Sequence, residues 1–291
     1  MNDRHLASAT PRARALVALH VAVLLFGFAG LFGKWLPLPP ATIVFGRAAI
    51  ASVALALLLP LTGQAGAAGD RLDWKLAASG ALLALHWVAF FRAIQIASVA
   101  VGLLGFASFP LFVLLLEALL RQRRLRGREW AIAALVSGGL LLVVPELRWE
   151  NRVVQGLAWG LVSGLTFALL AVANRALAAR HAAGTIAMWQ NACAALCVLP
   201  LVALAPVVPN AQAVLLLVVL GVVCTALAHT LFVRSLRVLS AHTASVVTAL
   251  EPVYGIALAF LLLGETPSVR TLCGAALIVA AAICATRSRS P

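Results

Sequence analysis

The chain has 291 residues, of which 63% are hydrophobic and only 11% charged, at a mean hydropathy of +1.05. A soluble fold of this length has no interior large enough for that much apolar surface, so the composition points to the bilayer as solvent and leaves no stretch for a separate soluble domain. The net charge of +13 sits in short segments between apolar runs, which is the pattern of topology signalling and not of nucleic-acid binding.

Arg4, Arg12 and Arg14 precede a first apolar run. That run is long for the core of a signal peptide and lacks a small-residue cleavage site, so it is read as a retained first span. A span needs about 20 mostly apolar residues, and ten are predicted, at about 14–33, 41–61, 74–96, 98–120, 129–146, 153–175, 184–205, 211–235, 241–263 and 269–286. Lys34 and Trp35 close the first as interface anchors. Pro37, Pro39 and Pro40, then Gly63 to Gly69, Pro206 with Pro209, and Gly264 with Pro267 punctuate the rest. The loop between spans three and four is almost absent.

Lysine and arginine bias sets the orientation. With the N-terminus inside, the inner segments hold Arg4, Arg12, Arg14, Arg71, Lys75, Arg121, Arg123, Arg124, Arg126, Arg128, Arg175, Arg180, Arg234, Arg237, Arg287 and Arg289. The outer segments hold only Lys34, Arg92, Arg148, Arg152 and Arg270. This asymmetry puts both termini in the cytoplasm. Cys193, Cys197, Cys224, Cys273 and Cys284 all lie in apolar runs without metal-type spacing and read as small buried residues. No metal site and no cofactor are predicted, and no phosphate-binding G-x-x-x-x-G-K-[ST] loop is present.

One segment occurs twice. Phe90, Arg92, Ser98 and Pro110 recur 142 residues later as Phe232, Arg234, Ser240 and Pro252. Five spans per copy is an odd number, so the second copy enters the membrane from the opposite face. The prediction is an all-α integral membrane protein of ten transmembrane helices, built as two five-helix inverted repeats at 1–146 and 147–291. Two such units can rock about a site between them near the midplane, drawing on spans one, three, four, six, eight and nine.

Several polar groups lie inside spans. Glu251, in span nine, is costly in lipid and must face the bundle interior. Ser245, Thr248, Glu251 and Tyr254 or Gly255 fall at helical spacing and form a weakly polar stripe. Glu251 either titrates or meets a substrate ammonium group, or it is a hydrogen-bonded carboxyl that fixes packing; the sequence leaves both open. Pro252 and Pro110 read as hinges, since proline cannot donate a backbone bond and bends its helix. His86 in span three and His229 in span eight either bind a polar solute or relay a proton, or are satisfied by neighbouring carbonyls. Trp87 holds the repeat position of His229. With Phe90, Phe106, Trp159, Phe167, Phe232 and Ser163 these define the candidate substrate-binding set. Arg47 in span two pairs with an internal acid, grips a carboxylate or snorkels outward, the structural role being preferred. Its repeat position is taken by Asn191. Gly156, Gly160 and Gly164 recur every four residues in span six and predict close helix packing.

Ala241-His242-Thr243-Ala244, then Leu250-Glu251-Pro252-Val253, then Leu263-Gly264-Glu265, together with Arg47, carry a family pattern. On these residues the chain resembles the drug/metabolite transporter superfamily, in its ten-helix EamA-type exporter branch. The first copy departs from the pattern, with Gln122-Arg123 at the Gly-Glu position. The resemblance implies export of amino acids and related metabolites, in some members aromatic or hydrophobic amino acids.

A membrane enzyme is the rival class. Asp3, Asp70 and Asp73 lie outside the spans, and no nucleophile, base and orienter set appears. A channel lacks its charged ring or filter loop. The reading is a secondary transporter of the bacterial inner (plasma) membrane, with lipid around it and a small-molecule substrate. Nothing in the sequence sets the oligomeric state. Uptake, or antiport of another metabolite such as a nucleotide sugar, is the alternative; that cargo asks for several buried basic residues, and only Arg47 is clearly inside a span.

Overall fold

The computed structural model describes residues 11–61, 72–120, 122, 124–144, 148–239, 241–248 and 250–287. Every element among them is helical: α1 (Pro11–Trp35), α2 (Pro40–Leu61), α3 (Trp74–Ile96), α4 (Val99–Phe106), α5 (Phe109–Leu120), α6 (Gly127–Val143), α7 (Arg152–Leu177), α8 (Ala183–Leu204), α9 (Ala211–Gly221), a π-helical segment (Val222–Leu227), α10 (Ala228–Ser235), α11 (Ala241–Thr248), α12 (Glu251–Leu263) and α13 (Val269–Arg287). The predicted domain boundary at 146/147, together with Arg4, Arg71, Arg121, Arg123, Ser240 and Arg289, lies outside the described residues.

Short polar residues start the helices where the apolar runs begin. The Asp73 carboxylate accepts from the Leu76 N–H at 2.8 Å, the Ser98 hydroxyl from Val101 at 3.1 Å and the Asn210 amide oxygen from Ala213 at 2.8 Å. Each satisfies a backbone donor that the first helical turn cannot pair, so each span has a defined start. The two repeated prolines do not sit in mid-helix as expected. Pro110 is the second residue of α5 and Pro252 the second of α12, each just after an interruption. There the missing proline N–H costs nothing.

Among the described residues seven helical stretches are long and apolar enough to cross a membrane: Pro11–Trp35, Pro40–Leu61, Trp74–Ile96, Val99–Leu120, Arg152–Leu177, Ala183–Leu204 and Ala211–Ser235. The other three predicted spans fall on shorter or divided elements. α6 has 17 residues, the ninth is split into α11 and α12, and α13 carries the apolar stretch Val269–Ala281.

The helices run between two ends, here named for Asp73 and Lys34. At the Asp73 end the Arg237 guanidinium donates to the His181 carbonyl, and Arg128 at the start of α6 donates to the Cys284 carbonyl near the end of α13. At the Lys34 end the α3–α4 connection meets Lys34, Arg152 and Glu265. α3 therefore starts at the Asp73 end and finishes at the Lys34 end, while the stretch from α9 to α10, its sequence copy, runs the other way. α3 packs along α7, and α10 along α1; α4 and α5 pack on α7, and α11 and α12 on α1; α2 pairs with α8, and α6 with α13. Each contact has a counterpart under exchange of the two copies.

Lipid tails are as apolar as leucine, so helix association inside a bilayer relies on close backbone contact. Gly160 supplies it: a Cβ there would lie 2.8 Å from Gly105 Cα. Gly156 and Gly164 continue that face of α7 onto Ala97 and Ser108. The core between the copies is correspondingly dense, with Phe32, Phe91, Phe106, Phe109 and Phe232 fully buried.

Candidate functional site

Where the two copies meet, eleven side chains surround a cavity: Phe26 and Ala29 from α1, Arg47 from α2, Leu83, His86, Trp87 and Phe90 from α3, Phe106 from α4, Phe167 from α7, His229 from α10 and Glu251 from α12. Its volume is about 30 Å³, room for one or two waters. In this conformation the walls are drawn together, and any solute larger than water needs them to part.

One wall is aromatic. The Phe106 ring lies 5.2 Å from Phe167 and 5.4 Å from Phe109, Phe167 lies 5.5 Å from Phe232, and Phe232 lies 5.8 Å from Phe26. His86 enters this wall with its ring 4.9 Å from Phe167 and 5.4 Å from Phe106. Its Nδ1 sits 2.8 Å from the Ser163 hydroxyl and 3.0 Å from the Ser163 carbonyl, which fixes the ring against α7.

The opposite wall is polar and comes from a break in helical regularity. The π-helical segment has Thr225 bonded back to the Leu220 carbonyl at 2.6 Å. π-turns mark functional sites because they expose backbone groups that a regular helix hides. Here Arg47 Nε donates to Thr225 Oγ1 at 3.0 Å and Nη2 points at the Cys224 carbonyl at 3.5 Å. The guanidinium lies over the Trp87 ring at 4.0 Å, a cation–π contact, and 5.5 Å from Phe91. Arg47 is 2% exposed, so it does not snorkel to the interface. Trp87 in turn meets His229 edge-on at 6.3 Å. Asn191, at the repeat position of Arg47, reaches His229 Nδ1 at 3.4 Å. Arg47 with Trp87 and Asn191 with His229 are thus the same pairing in two copies, charged in one and neutral in the other. Glu251 is buried, and its Oε2 has no hydrogen-bond partner.

Of the residues singled out from sequence, His86, Trp87, Phe90, Phe106, Phe167, His229 and Glu251 line this one cavity. Ser163 and Phe232 stand directly behind it. Thr248 is fully buried one turn before Glu251, its hydroxyl unpartnered. Tyr254 is half-buried against the core beside Gly27. Trp159 lies elsewhere, 37% exposed on α7 and outside the cavity lining. Phe26, Ala29 and Leu83 were not foreseen, nor was a buried cluster between α3, α7 and α8 in which the Gln190 amide donates to Ser79 and Asn174. Among the described residues no group of three metal-binding side chains occurs.

A polytopic helical bundle with a small amphipathic chamber between two sequence copies defines the class, a membrane carrier. Residues 13–144 and 154–287 each match the EamA-like transporter family, and the chain belongs to that family. It is 32% identical over 255 residues to the pseudopaline exporter CntI of Pseudomonas aeruginosa, a match covering 87% of this chain and 88% of the relative. It is 22% identical over 280 residues to the uncharacterized transporter YxxF of Bacillus subtilis, covering 94% and 89%. A solved crystal structure superposes with a TM-score of 0.72 at 24% identity, covering 96% of this chain and 100% of its own. The protein is therefore a multi-pass membrane transporter of a small molecule, not an enzyme.

Proposed function

We propose that the protein exports small amphipathic metabolites, with hydrophobic or aromatic amino acids foremost, across a bacterial inner membrane. Transport proceeds by alternating access between two inverted five-helix repeats, ten spans in all, with both termini cytoplasmic. The observation that carries this reading is the chamber itself: it lies where the copies meet, and it combines an aromatic wall for an apolar side chain with Arg47, His86, His229 and Glu251 for polar groups. The opposite running directions of α3 and of α9 to α10 support the inversion. The concentration of Arg12, Arg14, Lys75, Arg175, Arg180, Arg234 and Arg237 at the Asp73 end supports a cytoplasmic assignment for that end.

A second reading of the cargo rests on the match to a pseudopaline exporter over 87% of this chain. Both are tested at once by counterflow in liposomes of purified protein, with radiolabelled amino acids and pseudopaline as the panel. Saturable exchange of phenylalanine, tryptophan or leucine supports the first reading. Exchange of pseudopaline alone supports the second, and unsaturable flux would reject a carrier altogether.

A further inference from the structure

The chamber contains two opposite poles held apart. Arg47, on α2 of the first copy, and Glu251, on the first turn of α12 of the second, line the same space, and each is at least 97% buried. They do not neutralise one another. The guanidinium is held by Thr225, the Cys224 carbonyl and the Trp87 ring, none of which carries a negative charge. The Glu251 Oε2 bonds to nothing. A buried cation and a buried carboxyl are each expensive in the membrane, and the usual relief is direct pairing. Leaving them unpaired around one water-sized chamber is a poor solution for packing alone. It suits a solute that brings both complementary charges.

Resting on the amino-acid reading above, we infer that Arg47 and Glu251 are the two specificity-determining anchors of the substrate site, recognising a zwitterion. Arg47 takes the α-carboxylate, for which a planar guanidinium offers two parallel donors. Glu251 takes the α-ammonium group. The apolar side chain then lies toward Phe90, Phe106 and Phe167. Because the anchors belong to different copies, a zwitterion draws the copies together, whereas a solute with one pole engages only one of them. The Trp87 ring and the π-helical segment position the guanidinium, and the Asn191–His229 pair offers the same place in the other copy without charge. The site is therefore polar in one direction across the repeat interface.

The test is competition against radiolabelled phenylalanine bound to the full-length protein in nanodiscs, by phenylalanine, its methyl ester, phenethylamine and 3-phenylpropionate. In the unaltered protein the three one-pole compounds compete about 10- to 100-fold more weakly than phenylalanine, the range expected for losing a bond to a charged group. Arg47→Gln abolishes the preference over the ester, and Glu251→Gln abolishes the preference over 3-phenylpropionate. Arg47→Lys keeps part of the first preference. A purely structural role for either residue would weaken all four compounds in parallel and overturn the assignment. Equal competition by all four in the unaltered protein overturns the anchors while leaving the cargo class standing, and needs no variant to fold. Failure of the unaltered protein to bind phenylalanine at all rejects the cargo reading and the anchors with it.

Discussion

The two ends of the bundle are built from the same repeated parts, yet they are tied differently. Within each copy the tie is the same: Gln95 donates to the Leu38 carbonyl at the Lys34 end, and its counterpart Arg237 donates to the His181 carbonyl at the Asp73 end. Of the ties around the α3–α4 connection, those of Lys34 and Arg152 have no match among the described residues. At the Lys34 end, Lys34 Nζ donates to the Ala97 carbonyl at 3.0 Å, Arg152 Nε to the Ile96 carbonyl at 2.7 Å, and the Val99 N–H to the Glu265 carboxylate at 3.0 Å. The repeat counterparts of Lys34 and Ala97 are Arg175 and Leu239, and these line a cavity of about 620 Å³. The counterparts of Arg152 and Ile96 are Pro11 and Val238, and these border a second cavity of about 360 Å³. The Lys34 end has its own cavity of about 270 Å³, lined by Ser98, Val101 and Glu265, so the two ends differ in these ties and in how much space lies beside them.

That comparison presumes that the copies bear on each other at the α4–α7 crossing, and the largest expected effect comes from breaking it. Gly160→Leu places a side chain where even a Cβ would be 2.8 Å from Gly105 Cα. The yield of monodisperse protein should fall several-fold, measured by fluorescence-detected size exclusion. Normal yield with normal transport would mean that the crossing is not a bearing.

The ties themselves give the next effect. Arg152→Ala combined with Glu265→Ala removes the two bonds that reach from one copy to the other at the Lys34 end. Exposed charged bonds of this kind are worth roughly 0.5–1 kcal/mol each, so the ratio of the two open states should move about 5- to 30-fold toward opening at the Lys34 end. Labelling of single cysteines introduced at Val101 and at Val238, in a cysteine-free background, reads that ratio. An unchanged ratio would make the asymmetry of the ends incidental.

The smallest effect lies at the start of α3. The Leu76 N–H holds the Asp73 carboxyl below the usual carboxylate range. A depressed carboxyl contributes stability above its ordinary titration range and loses it as pH falls toward the folded value. Asp73→Ala should therefore cost about 1 kcal/mol of thermal stability at neutral pH, the usual worth of a helix cap, and less in acid. Protection that does not depend on pH would assign the stabilisation to contacts other than the carboxylate.

Much of the chamber was legible in one dimension because polar groups inside apolar runs have few alternatives. Glu251, His86 and His229 had to face inward whatever the fold, and all three line one space. Trp159 and Phe26 show where that logic stops. Both are aromatic residues in apolar helices, yet Phe26 lines the chamber and Trp159 faces outward. In water a helix shows its buried face by contrast with its polar face. In a bilayer both faces are apolar, so periodicity does not tell the chamber from the lipid. The π-helical segment was equally hidden, because Val222 to Leu227 reads as an ordinary apolar helix and departs from one only where Arg47 is accommodated. Gln190, Asn174 and Ser79 lie far apart in the chain and become one cluster only when α3, α7 and α8 pack.

The chain by itself determined the membrane class, the duplicated unit and its register, and which polar groups could not be left in lipid. Those follow from composition and spacing, since an unpaired charge in hydrocarbon is excluded on energy alone. Only the tertiary structure decided that Arg47 and Glu251 share one chamber without bonding, which aromatic residues close it, and which side-chain bonds gather at the Lys34 end. These depend on how two helical surfaces of equal hydrophobicity meet, and local sequence carries no record of that choice.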